Sequence, residues 1–162
     1  MKPLQLIFLL FAFSLLAGCG NDATVYHRYH AVSSSQGWKQ TDTLTFLIPD
    51  TLSGHQYELE IGLRHTEMYP YRDIWVALLH PLDSLAPDTF HLELASPEGE
   101  WLGKGNAGNT YQYSTYAGKL TLLPADTLFQ LVQIMKDSCL RGITDAGIRL
   151  SLTGGIYAQK DK

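Results

Sequence analysis

The sequence is poor in the residues from which many chemistries are built. Two cysteines occur among 162 residues, at Cys19 and Cys139, too few for a disulfide framework or a Cys-rich zinc site. Charged residues make up 17%, with 12 Lys and Arg against 16 Asp and Glu and a formal charge of -4. No basic cluster occurs, so nothing provides an electrostatic footprint for nucleic acid. There is no HExxH pair, no GxSxG elbow and no closely spaced acidic run of the EF-hand kind. A glycosidase-like pair of distant carboxylates would have to be assembled by the fold, and no local signal announces one. The chain is therefore read as non-enzymatic, with no cofactor and no metal.

What is present begins at the N-terminus. Lys2 precedes an apolar core from Leu6 to Phe13, extended by Leu15 and Leu16. That is the length of a signal peptide and too short to span a bilayer comfortably. Leu16-Ala17-Gly18-Cys19 then has the form of a bacterial lipobox, whose compact Ala17-Gly18 pair lets a peptidase reach the backbone. This spacing predicts a signal peptide at 1–18, lipidation of Cys19, a tether at 19–24, one domain at 25–158 and a tail at 159–162. Each buried acyl methylene contributes about 0.8 kcal/mol, so two or three chains hold stably where one holds marginally. Cleavage removes Lys2 and no acid, making the mature chain one unit more negative. The chain is placed in the cell envelope, anchored by lipid, with neither the membrane nor the face fixed. Lipidation would leave Cys139 as the remaining thiol, read as a small buried apolar group.

Alternation dominates the rest. Tyr57, Leu59, Ile61 and Leu63 interleave with Gln56, Glu58, Glu60 and Arg64, the period of a half-buried strand. The same pattern runs through Leu44, Phe46 and Ile48, through Phe90, Leu92 and Leu94, and through Ala146, Ile148, Leu150 and Leu152. Ile74–Leu79 is continuously apolar and suits a central strand, which would bury Trp75. Val25–Val32, Thr110–Ala117 and Gly118–Leu123 are weaker strand candidates. Leu128, Leu131, Val132 and Met135 fit helical spacing after Asp126, but Phe129, Leu131 and Met135 also share one side of a strand. Strand followed by a short helical turn at 136–140 is the preferred reading. Many short strands without alternating helices predict an all-β, two-sheet antiparallel sandwich, jelly-roll-like in arrangement.

Most of the apparent motifs have structural explanations. Asp-Thr recurs at 42–43, 50–51, 88–89 and 126–127; Asp closes turns through local hydrogen bonds and Thr opens strands. Gly103-Lys104-Gly105-Asn106-Ala107-Gly108 matches GxGxxG, but no helix pattern follows to build a phosphate site. The histidines read as scattered surface residues. Aromatic side chains are the better candidates for a binding surface. Tyr69 and Tyr71 lie in the loop-like Tyr-Pro-Tyr-Arg segment, and Trp101 lies among glycines. Such rings can anchor a protein partner or stack on a sugar.

The order of several segments resembles the gliding-motility lipoproteins of Bacteroidetes of the GldH type. These are the lipobox, Trp38 with Asp42 and Phe46-Leu47-Ile48, Tyr57-Glu58-Leu59, and Leu63-Arg64 with Tyr69-Pro70-Tyr71-Arg72. Gly99-Glu100-Trp101-Leu102-Gly103-Lys104-Gly105, Gln133-Ile134-Met135 and Gly142-Ile143-Thr144-Asp145-Ala146-Gly147-Ile148 continue it. The resemblance covers essentially the mature chain. It implies an envelope-anchored accessory protein of gliding or the linked type IX secretion machinery, with envelope proteins as partners and no catalytic residues. Only Cys19 carries over as a functional position. A carbohydrate-binding envelope lipoprotein is the alternative, supported by fold-level analogy and by Tyr69, Tyr71 and Trp101.

Overall fold

The computed structural model describes residues 23–32, 36–79, 87–105, 108–124 and 128–153. The leader, Cys19, most of the expected tether, Asp126 and the tail lie outside them. Among the described residues eleven strands follow in order: β1 (Thr24–Ala31), β2 (Trp38–Lys39), β3 (Leu44–Leu47), β4 (Gln56–Thr66), β5 (Asp73–Leu79) and β6 (Asp88–Glu93), then β7 (Lys104–Gly105), β8 (Thr110–Thr121), β9 (Leu128–Gln133), β10 (Cys139–Leu140) and β11 (Ile143–Leu152). A single 3-10 turn at Asp50–Leu52 is the helical element among the described residues.

One sheet has the order β1-β11-β4-β8-β7 and the other β3-β9-β5-β6, while β2 and β10 form a small ribbon. All pairings are antiparallel. Setting aside the two-residue strands, eight strands remain. The first pairs with the last, the second with the seventh, the third with the sixth and the fourth with the fifth. That is a hairpin of paired strands rolled into two sheets, the jelly-roll order expected from the sequence.

The expected alternation holds in β4, where Tyr57, Leu59, Ile61 and Leu63 are all buried. Phe46 from β3, Ile74 and Val76 from β5, Phe129 and Leu131 from β9, and Ile148 and Leu150 from β11 complete the layer between the sheets. Burying each such side chain stabilises the fold by about 1.5–3 kcal/mol. The strand expected over 128–135 runs over Leu128–Gln133 and stops before Met135, with Phe129, Leu131 and Gln133 facing the core together at period two. The expected helical turn at 136–140 is replaced by bends ending in β10. Cys139 there is partly exposed rather than buried, and its thiol donates to the Gln36 carbonyl. The two strands expected at 110–123 are one. Its register against β4 slips where Leu59 faces Gly118 and Glu60 faces Tyr116. Gly118 at φ 127° supplies the backbone conformation that keeps the ladder running through this bulge.

The roll has two chemically different ends. At the near end the chain enters β1 beside the exit of β11, and β3 connects to β4, β5 to β6 and β8 to β9. The links β1–β2–β3, β4–β5, β6–β7–β8 and β9–β10–β11 lie at the far end. The outer face of the five-stranded sheet is polar, with Arg149 and Glu60 2.5 Å apart and Arg64 3.8 Å from Asp145.

Candidate functional site

The far end gathers the aromatic residues. After β4 the chain turns tightly, with the Tyr69 amide donating to the Thr66 carbonyl at 3.1 Å. Gly142, at φ 89°, lies against this turn so closely that a Cβ on it would stand 2.3 Å from the Tyr69 nitrogen. Tyr69 points inward. It is 2% exposed, and its hydroxyl donates to the Asp73 carbonyl at 2.8 Å. Burial and nearby Asp73 raise its pKa well above the ordinary phenol value. Tyr69 is thus a core support and not a contact surface, because its ring fills the space below the turn.

Tyr71 lies edge-on to Tyr69, centroids 5.6 Å apart, and donates its hydroxyl to the Asp137 carboxylate. That hydrogen bond is the main cause of its raised pKa. Trp101 is partly buried and pairs with Ala95 through an isolated bridge. Of the three aromatics singled out in the sequence, Tyr69 and Trp101 meet on His65, which is buried rather than on the surface, while Tyr71 touches only Tyr69 among them. His65 is fully buried, 4.4 Å from the Trp101 ring, 6.1 Å from Tyr69 and stacked at 5.5 Å on Tyr111. Its Nδ1 must carry the proton, since its partner at 3.3 Å is the Thr66 carbonyl, which can only accept. Nε2 is buried without a partner, and burial lowers the pKa. A signal existed: His65 is in phase with Leu63 and Ile61, on the buried side of β4.

Trp75 corrects the opposite way. The continuous apolar run suggested burial, yet its ring is 42% exposed on the outer face of the four-stranded sheet. Within the run, Ile74, Val76 and Leu78 face the core while Asp73 and Trp75 face outward. The phase of Asp73 was the overlooked signal. The indole stacks on His91 at 4.5 Å and 17°, and His91 Nε2 lies 2.7 Å from the Asp73 carboxylate. Buried Gln133 organises the opposite wall, donating to the Asp137 carbonyl at 3.0 Å and accepting from the Met135 amide at 2.9 Å. Between these walls lies an open cleft of about 460 Å³ lined by Tyr71, Asp73, Trp75 and residues 134–137. Ile134 is 42% exposed beside it, and Met68 is 75% exposed in the adjoining turn.

Other motifs resolve without chemistry. Of the GxGxxG match, Asn106 and Ala107 lie outside the described residues, and the next described element after β7 is strand β8, not a helix. Asp42 closes the turn before β3, its carboxylate accepting from the Lys39 amide at 3.3 Å. No group of three or more His, Cys, Asp or Glu that could hold a metal occurs among the described residues. Nor is any described helix long and apolar enough to cross a membrane.

Fold and site together define a small jelly-roll sandwich that opens an aromatic, acid-flanked cleft at one end. The GldH lipoprotein family model matches residues 24–150, and the chain belongs to that family. It is 28% identical over 150 residues to the gliding motility lipoprotein GldH of Flavobacterium johnsoniae, covering 88% of this chain and 92% of that one. A gliding motility lipoprotein GldH homolog of Christiangramia forsetii is 26% identical over 98 residues, 59% of this chain and 58% of the other. Among solved structures, the Tobacco streak virus coat protein aligns at 9% identity with a TM-score of 0.30, covering 90% of this chain and 96% of that one. The chain is therefore a lipoprotein of a gliding-related family.

Proposed function

We propose that this protein, anchored to a membrane through lipid on Cys19, is an accessory component of gliding or of the linked type IX secretion machinery. It acts by binding another envelope protein, not by catalysis. The observation that carries this reading is the exposure of Trp75 and Ile134 in the cleft beside the Tyr71–Asp137 pair, with exposed Met68 in the turn after β4. Trp75 is held by stacking on His91, itself fixed by Asp73. A prearranged ring costs little ordering entropy on binding, and Trp and Tyr dominate interface hot spots. Met68 adds an unbranched side chain that adapts to a partner's shape.

Photo-cross-linking from position 134 in intact cells tests the reading. A defined envelope protein should be captured, with Trp75→Ala lowering capture by about tenfold or more. Cys19→Ala should release the protein from the membrane and abolish function. No reproducible partner from position 134 would defeat the proposal. A second reading, carbohydrate binding, draws on the same indole and on the Asp73 and Asp137 carboxylates flanking it. Calorimetry with envelope glycans separates the two: heat that disappears in Trp75→Ala favours the sugar.

A further inference from the structure

Exposed aliphatic side chains scattered singly over a surface need no explanation. In this molecule Val25, Leu47, Leu123 and Leu152, 37%, 71%, 51% and 45% exposed, come from distant parts of the sequence and all lie at the near end of the roll. The pairings place them there. Thr24 faces Ser151, Leu152 faces Tyr57, Gln56 faces Thr121, and the His55 carbonyl accepts from the Leu122 amide. In the other sheet Leu47 faces Leu128 at the last position of β3, just before the turn that leads to β4.

The chain reaches Cys19 from this same end. Five residue steps separate Thr24 from Cys19, and a fully extended chain spans at most about 3.6 Å per residue, hence about 18 Å in all. With lipid on Cys19, as the function proposed above requires, the near end is held within that distance of the bilayer. A domain on so short a leash meets the headgroup layer with whatever its near end exposes.

We propose that the near end rests on the lipid surface, with Val25, Leu47, Leu123 and Leu152 entering the headgroup layer. The aromatic cleft at the far end then faces away from the membrane, towards partners. The contact is apolar rather than electrostatic. The charged side chains of the same end include Asp50, Glu58 and Lys119, with Glu58 opposite Lys119 across β4 and β8. Among the described residues they form no basic patch of the kind that binds anionic lipid.

The test uses the full lipoprotein, purified from membranes and reconstituted in phosphatidylcholine vesicles, in a Cys139→Ser background. An environment-sensitive fluorophore is attached at Leu123→Cys, at Leu152→Cys or, as the far-end control, at Met68→Cys. All three positions are well exposed, so labels leave the core intact. In vesicles the two near-end labels should brighten about threefold or more, and spin labels on the lipid headgroups should quench them. The Met68→Cys label should do neither. Adding phosphatidylglycerol should leave the quenching unchanged; quenching only in its presence would overturn an apolar contact. Mass spectrometry of the same sample reads the lipid on residue 19. Lipid present with unquenched near-end labels overturns this proposal alone, whereas residue 19 unmodified overturns both it and the anchored function.

Discussion

His65 offers the sharpest test of the far-end architecture. Its ring is fully buried among Tyr69, Trp101 and Tyr111, Nδ1 donates to the Thr66 carbonyl, and Nε2 has no partner. A proton on Nε2 would place a charge in that enclosure, so burial holds the folded pKa below the ordinary value of 6.5 while the Thr66 hydrogen bond raises it by less. Between the folded value and 6.5 the unfolded chain binds a proton that the folded chain does not. Stability is then complete above pH 6.5 and falls as the pH drops through the folded pKa, below which this dependence vanishes. The steepest loss from one group is about 1.4 kcal/mol per pH unit. Ring faces around a cation offset part of it, which makes that figure an upper bound. Urea denaturation of the wild type and His65→Phe between pH 8 and pH 5 isolates the effect, since the other histidines cancel in the difference. At pH 7.5 the variant should lie within about 1 kcal/mol of wild type, because deleting an unsatisfied buried nitrogen offsets the larger ring. Below pH 6.5 it should lose less stability than wild type. Identical slopes for the two proteins would refute the reasoning.

Gly142→Ala should destabilise by about 3 kcal/mol or more: a left-handed backbone costs about 1–2 kcal/mol for a residue with a Cβ, and that Cβ would lie 2.3 Å from the Tyr69 nitrogen. A loss below about 1 kcal/mol in urea denaturation would contradict the close approach. Phe46→Ala should cost about 3–5 kcal/mol by the same assay, since the ring is fully buried and meets the His30 edge at 4.8 Å; a loss of about 1 kcal/mol would deny it that place in the core. Asp73→Asn should change stability by less than about 1 kcal/mol, because both it and His91 are more than a third exposed. It should nevertheless loosen the Trp75 platform, raising acrylamide quenching of tryptophan by an amount that Trp75→Phe removes.

Much of the fold could be read from local periodicity. The alternation in residues 56–64 reports which face of β4 is buried, because successive side chains in a strand must point to opposite faces. At 128–135 periodicity fitted a helix as well as a strand, the family resemblance favoured strand, and the structure has a strand over Leu128–Gln133. The alternation rule failed where hydrophobicity was weighed without phase. Trp75 is apolar but shares its side of β5 with Asp73, whereas His65 is polar but shares its side of β4 with Leu63. Likewise Tyr69 and Tyr71 are neighbours in one loop, yet Tyr69 is buried, its backbone closely approached by Gly142, more than seventy residues away in sequence.

Strand content, the alternating core and the family were legible in residue order alone, since these follow from short spans and from the spacing of segments along the chain. The cleft formed by Trp75 with Tyr71 and Asp137, the enclosure of His65, and the placing of that cleft at the end opposite Val25, Leu47, Leu123 and Leu152 were settled by tertiary structure alone. Those outcomes depend on which strands pair and which loops meet, and the contacts responsible join residues whose separation along the chain carries no local signal.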